Sequence, residues 1–261
     1  MKIYQIDAFA NRLFTGNPAA VCPLNEWLPD ELMQNIAAEN NLSETAFLVK
    51  IQEGYEIRWF TPTIEVDLCG HATLASAYVL MEHLNIEGNE VVLQSPRSGK
   101  LTVRREDNRY ILNFPADICT PVAPPTELLE SLNRIPLECY KGKTDYMLVF
   151  KDQAQIIDLN PDFNLLKKVP ARGIIVTAPG DDCDFVSRFF GPQAGVDEDP
   201  VTGSAHTTLT PYWANRLNKT NLIAKQLSKR GGTLYCQHLK DRTEIGGTAV
   251  TYMIGQLTID G

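Results

Sequence analysis

Two short strings, Cys69-Gly70-His71 and Thr202-Gly203-Ser204, concentrate groups that can hold charge or move a proton. Each places a glycine just before a run that reads as a buried helix. The first N–H groups of a helix have no partner inside it, so such a start attracts a carboxylate or a phosphate. Glycine lets a ligand approach the backbone closely. His71 can hold or relay a proton near neutral pH. Cys69 begins a helix, where a thiolate is favoured. Glu44, in Leu42-Ser43-Glu44-Thr45-Ala46-Phe47, lies between a helix and an apolar strand, and Asp199 lies among the acids of Val196-Asp197-Glu198-Asp199-Pro200-Val201. A partly desolvated carboxylate can serve as a general base, and for that work the pKa of Glu44 is expected to rise toward neutrality. Each feature alone has a plainer reading: a turn glycine, a solvated loop glutamate, acids that favour a helix dipole.

The elements that position these groups are repeated. Arg58-Trp59-Phe60-Thr61-Pro62 reappears as Arg188-Phe189-Phe190-Gly191-Pro192, 130 residues further on. Cys69-Gly70-His71-Ala72-Thr73 is matched by Thr202-Gly203-Ser204-Ala205-His206, and Ser95-Pro96-Arg97-Ser98-Gly99-Lys100-Leu101 by Ser228-Lys229-Arg230-Gly231-Gly232-Thr233-Leu234, both at an offset of 133. Three anchors in one order, at nearly one offset, mark an internal duplication of two large copies rather than a short-period array. The expected halves are 1–115 and 116–261, with the last strand a candidate to pack with the first half. Two related halves that face each other make a cleft, and positions that differ between the copies mark where chemistry replaced symmetry.

Strand-like runs in the first half are Ile3–Phe9, Ala46–Ile51, Tyr55–Phe60, Val91–Gln94, Leu101–Arg105 and Tyr110–Phe114. A helix opens at Leu28 to Leu32 and runs to about Glu39. From His71 to about Leu84 a second helix is apolar on most of its circumference, the mark of a helix buried on all sides. Pro115 to Pro125 is a proline-rich linker candidate. The second half reads as strands at Tyr146–Phe150, Gln155–Asp158, Ile174–Thr177 and Phe185–Phe190. A helix follows from about Ser204 to Leu217, with strands near Leu234–His238 and Tyr252–Ile259. Pro211 inside that helix should kink it or force a local adjustment. The fold class is α+β: two similar barrel-like mixed sheets, each wrapped around a central helix.

The 261 residues carry a net charge of −8. Nucleic-acid binding needs clustered Lys and Arg, so no nucleic-acid partner is expected. The longest apolar stretch, near Thr73 to Met81, falls short of the roughly 20 residues of a membrane span. Met1 to Asp7 lacks the apolar core of a signal peptide and reads as a strand, and a cytoplasmic protein is expected. Cys22, Cys69, Cys119, Cys139, Cys183 and Cys236 are scattered singly, which suits reduced thiols. Four histidines without close spacing give no zinc motif, so no metal is expected. There is no GxGxxG after a strand and no P-loop lysine motif, so no nucleotide cofactor is expected either.

The chain resembles the phenazine-biosynthesis PhzF-like family, within the diaminopimelate-epimerase-like fold. The matching segments are Phe14-Thr15-Gly16-Asn17-Pro18-Ala19-Ala20-Val21, Leu42 to Phe47, Phe60-Thr61-Pro62 with Cys69 to Thr73, Arg188 to Pro192, and Glu198-Asp199-Pro200-Val201-Thr202-Gly203-Ser204-Ala205. They span nearly the whole chain. The resemblance implies a cofactor-independent isomerase, commonly a homodimer, with a biosynthetic small carboxylic acid as substrate. It implies Glu44 as the proton-transfer residue, with His71, Asp199 and Ser204 completing the catalytic set. Asn17, Cys69, Gly70, Thr202 and Gly203 are expected to contact substrate. Amino-acid epimerases of this fold resemble a symmetric device with a cysteine at the helix start of each half. Here the second position is Thr202, whose hydroxyl is too weakly acidic to replace a thiol. Two alternatives remain: a one-thiol racemase, epimerase or dehydratase using Cys69, and a non-catalytic binder of small acids.

Overall fold

The computed structural model describes residues 1–259. It divides into two compact units, Met1–Asn113 with the segment from Gly246 on, and Phe114–Ile245. In the first unit, strand Asn17–Leu24 is antiparallel to Lys2–Ala8 on one side and parallel to Glu44–Lys50 on the other. Glu44–Lys50 pairs antiparallel with Tyr55–Phe60, which pairs antiparallel with Glu65–Val66 and parallel with Glu90–Ser95. Gly99–Glu106 and Arg109–Pro115 continue the sheet in antiparallel steps, and Ala249–Gln256 lies antiparallel on the free side of Lys2–Ala8. The 13-residue helix Gly70–Glu82 packs on strands Asn17–Leu24, Lys2–Ala8 and Glu44–Lys50. Its turns are buried almost throughout, from Ala72 and Leu74 to Val79 and Leu80. Burying a side chain such as Leu74 contributes roughly 1.5–3 kcal/mol.

The second unit repeats this plan strand for strand. Asp145–Val149 is antiparallel to Glu138–Lys141 and parallel to Gly173–Pro179, which is antiparallel to Phe185–Gly191. Phe185–Gly191 then pairs antiparallel with Val196–Asp199 and parallel with Asn221–Gln226, and Asn221–Gln226 pairs antiparallel with Gly232–Leu239. The 13-residue helix Ala205–Leu217 packs on these last two strands. Its Trp213 is buried, and the indole N–H donates to Thr177 Oγ1 at 2.9 Å.

The repeated arginines show why the motif recurs. Arg58 donates through Nε and Nη2 to the two oxygens of Glu65 at 2.8 and 2.9 Å, and Arg188 does the same to Glu198 at 2.7 and 3.0 Å. Each guanidinium also lies over the phenylalanine two residues on, Phe60 or Phe190. Such forked pairs hold a short strand against the main one. Glu198 is thereby a structural residue.

Three details depart from the sequence reading. Asn17–Leu24 is a strand with partners on both sides even though it carries Pro18 and Pro23. Gln153–Ile157 is a short helix where a strand was expected at Gln155–Asp158. Asp152 caps it, accepting a hydrogen bond from the Gln155 N–H at 3.0 Å. The helix through Pro211 is continuous, and the adjustment lies in its bonding. Proline has no N–H for the carbonyl four residues back. That carbonyl, on Thr207, instead accepts the backbone N–H of Asp117 at 3.0 Å. Among the described residues no helix is long and apolar enough to cross a membrane.

Candidate functional site

The first unit brings together four of the residues singled out in the sequence. Glu44 opens its strand, Cys69 precedes the buried helix, and His71 lies in the first turn of that helix. Asn17 opens the strand next to that of Glu44 in the sheet and is fully buried. Gly16, just before it, has φ 69° and sits so close to Ala8 that a Cβ would lie 2.1 Å from the Ala8 carbonyl oxygen, so only glycine fits. His71 Nε2 lies 3.1 Å from Glu44 Oε2. On the other edge of the ring, the Asn17 amide Nδ2 lies 3.2 Å from His71 Nδ1, and Ser43 Oγ donates to Asn17 Oδ1 at 3.3 Å. Cys69 Sγ is 3.5 Å from His71 Nδ1 and 4.0 Å from Nε2, so residues two apart at a helix start do meet here.

The Glu44–His71 contact is an ion-pair approach rather than an aligned hydrogen bond. Glu44 Oε2 is buried and has no hydrogen-bond donor of good geometry. Burial raises the Glu44 pKa, but the positive charge of His71, helped by Cys69, outweighs it, and the net shift is downward. The expected rise toward neutrality is therefore corrected: a cation beside the carboxylate keeps it ionised. Burial alone would lower the pKa of His71, yet the acidic partners around it, Cys69 and Glu44, hold it well above the usual histidine range. Burial, then the Glu44 charge, push the Cys69 thiol up to about 11, against the opposing influence of His71. The expectation of a thiolate at this helix start is overturned for that reason. At neutral pH the cluster is a carboxylate, an imidazolium and a thiol.

In the second unit Thr202, Gly203 and Ser204 lead into helix Ala205–Leu217. Thr202 Oγ1 donates to Asp199 Oδ2. Thr202 N–H donates to Gln226 Oε1 at 2.9 Å, and Gln226 Nε2 donates to the Asp199 carbonyl at 2.8 Å. Ser204 Oγ accepts from Arg172 Nη1 at 2.9 Å, and Arg172 forks onto the buried carboxylate of Asp145. Gly70 and Gly203 both have φ outside the left-handed region. Their glycines are therefore not required by backbone conformation, which leaves close approach as the physical use of a missing side chain.

A family model described as phenazine biosynthesis-like protein matches residues 6–255. The chain belongs to the PhzF family. It is 53% identical over 257 residues to an uncharacterized isomerase of Pseudomonas aeruginosa, covering 98% of each chain. It is 37% identical to the mouse phenazine biosynthesis-like domain-containing protein 1, covering 99% of each. Among solved structures, a PhzF-family protein of Enterococcus faecalis superposes with a TM-score of 0.96 at 46% identity, covering 99% of each chain. A probable proline racemase of Agrobacterium radiobacter superposes with a TM-score of 0.63 at 12% identity, which shows the shared fold. The fold is thus the diaminopimelate-epimerase-like one, and the Pseudomonas aeruginosa relative is an isomerase by name.

Within this PhzF-family chain the two copies can be aligned by strand register. Thr45 pairs with Phe60 and Ile174 with Phe190, so Glu44 corresponds to Gly173 and Ser43 to Arg172. Cys69 corresponds to Thr202 and His71 to Ser204. The carboxylate, thiol and imidazole of the first unit are thus glycine and two hydroxyls in the second. Arg172, Asp145 and Gln226 were not singled out in the sequence. Arg172 and Asp145 belong to neighbouring strand starts 27 residues apart, and only the sheet register reveals their pairing. Ser43 was visible as part of the Ser-Glu-Thr string, without its role in holding Asn17.

Proposed function

We propose that this chain is a cofactor-independent isomerase that moves a proton, and with it a double bond, in a small carboxylic acid, with Glu44 as the base. The observation that carries the reading is the Glu44 carboxylate itself: ionised, buried at Oε2, and lacking an aligned donor there. His71, 3.1 Å away, supplies a positive charge that steadies the carboxylate before transfer. Glu44 accepts a proton from carbon next to a carbonyl or unsaturated system and becomes neutral. The same imidazolium and the N–H groups of the first turn of helix Gly70–Glu82 then face the negative charge that develops on the substrate. The proton returns at another carbon, from Glu44 or its neighbour, and the double bond shifts.

The Glu44 reading is preferred over the one-thiol alternative because the Cys69 thiol is pushed up to about 11 and its counterpart is Thr202. A panel of small unsaturated and hydroxy acids, screened by thermal shift, supplies ligands, since a ligand well above its dissociation constant raises the melting temperature. Each stabilising acid is then incubated with protein in D2O and followed by NMR. Exchange of one C–H is expected for the wild type. Glu44→Gln should slow it by at least about 100-fold while the stabilisation by ligand persists. Exchange in Glu44→Gln within about threefold of wild type removes Glu44 from this role.

A further inference from the structure

We propose that Glu44, Cys69 and His71 also form a binding site for a thiophilic divalent cation of the zinc class. Their ligating atoms, one oxygen, one sulfur and one nitrogen, all lie within 4.8 Å of one another. A tetrahedral zinc with bonds of about 2.0 Å to N and O and about 2.3 Å to S has N–O edges near 3.3 Å and N–S edges near 3.5 Å. The observed separations, 3.1 Å from Nε2 to Oε2 and 4.0 Å from Nε2 to Sγ, lie within about half an ångström of those edges. Nε2 is the nitrogen that would bind, because it is the ring nitrogen that lies 3.1 Å from Glu44 Oε2. An independent observation points to the same place. Glu44 Oε2 is buried without an aligned donor, and a cation would satisfy it.

A doubly charged cation here would be offset by the Glu44 carboxylate and by Cys69 bound as its thiolate. The thiolate selects soft cations over magnesium or calcium. The ligands come from a strand and a helix start, with spacing that matches no sequence motif. Because the cation occupies Oε2, it excludes a substrate proton from the same oxygen.

Cobalt(II) titration of the full chain tests the site without any assay of turnover, so its outcome is separate from the isomerase reading. A thiolate-to-cobalt charge-transfer absorption that saturates at one cobalt per chain and is abolished by zinc is expected. Cys119→Ser and Cys183→Ser, at the two half-buried cysteines, should keep it. Cys69→Ser should lose it. Glu44→Gln, which preserves size, should weaken cobalt affinity at least about tenfold, and serves if Cys69→Ser fails to fold. Absence of the absorption in wild type, its survival in Cys69→Ser, or an unchanged affinity in Glu44→Gln overturns the site.

Discussion

His206 is fully buried in helix Ala205–Leu217, and its protonation should be read in the stability of the second unit. Its Nδ1 lies 2.8 Å from the Thr202 carbonyl, its Nε2 has no partner, and its ring sits 5.9 Å from that of Phe185. Burial pushes its pKa from 6.5 down to about 4, only partly opposed by the Thr202 carbonyl. The sign follows from which state binds the proton. Below pH 6.5 the unfolded chain protonates this histidine and the folded one does not, so stability present above 6.5 is lost as pH falls toward 4. The whole difference of about 2.5 pH units corresponds to about 3 kcal/mol, and about 2 kcal/mol of it is lost by pH 5. His206→Asn keeps a donor for the Thr202 carbonyl but cannot titrate in this range. It should be less stable than wild type at pH 7.5, because a cavity remains. Between pH 7.5 and pH 5, however, wild type should lose about 2 kcal/mol more than the variant in urea unfolding. NMR titration of the four histidines supplies the direct check. A His206 resonance that titrates near pH 6.5 in the folded protein, or equal acid losses in both proteins, refutes the reasoning.

Cys69→Ser should retain most C–H exchange activity, since its thiol is protonated and its counterpart in the second copy is Thr202. Complete loss with an intact circular dichroism spectrum shifts the mechanism to the thiol. Arg188→Met leaves Glu198 and the carbonyls of Ile156 and Leu159 without their donor. It should cost about 3 kcal/mol, against about 1 kcal/mol or less for Arg134→Met at the exposed Asp158 pair, both read by chemical denaturation. Pro211→Ala should raise the melting temperature far less than the roughly 3 kcal/mol of helix propensity suggests. The Thr207 carbonyl it would recover is already bonded to Asp117 N–H. A gain of the full amount shows that the Asp117 bond contributes little.

The two buried helices were legible because their apolar residues run round the whole circumference, a pattern that survives without tertiary information. The duplication was legible because Arg58 and Arg188 each need an aromatic neighbour and a carboxylate partner, which preserves the string. Strand Asn17–Leu24 was not legible: Pro18 and Pro23 remove two donors and resemble a turn, and only partners on both sides hold it extended. Gln155–Asp158 misled because a short apolar run suits a strand or a helix, and the Asp152 cap decides it. Among the candidate residues, the types were readable and the distances were not. Glu44 and His71 are 27 positions apart, and the 3.1 Å between them depends on how the strand and the helix start pack. That same approach reversed the expected direction of the Glu44 shift.

The glycine at position 173 has a consequence for engineering. A Cβ built there would lie 2.0 Å from the ring of Phe189, so an aromatic ring fills the place that corresponds to Glu44. Installing a glutamate at this position would first have to displace that ring, which also stacks under Arg172. Making the two copies alike in their carboxylates therefore takes at least two coupled changes, one that adds the acid and one that removes the ring.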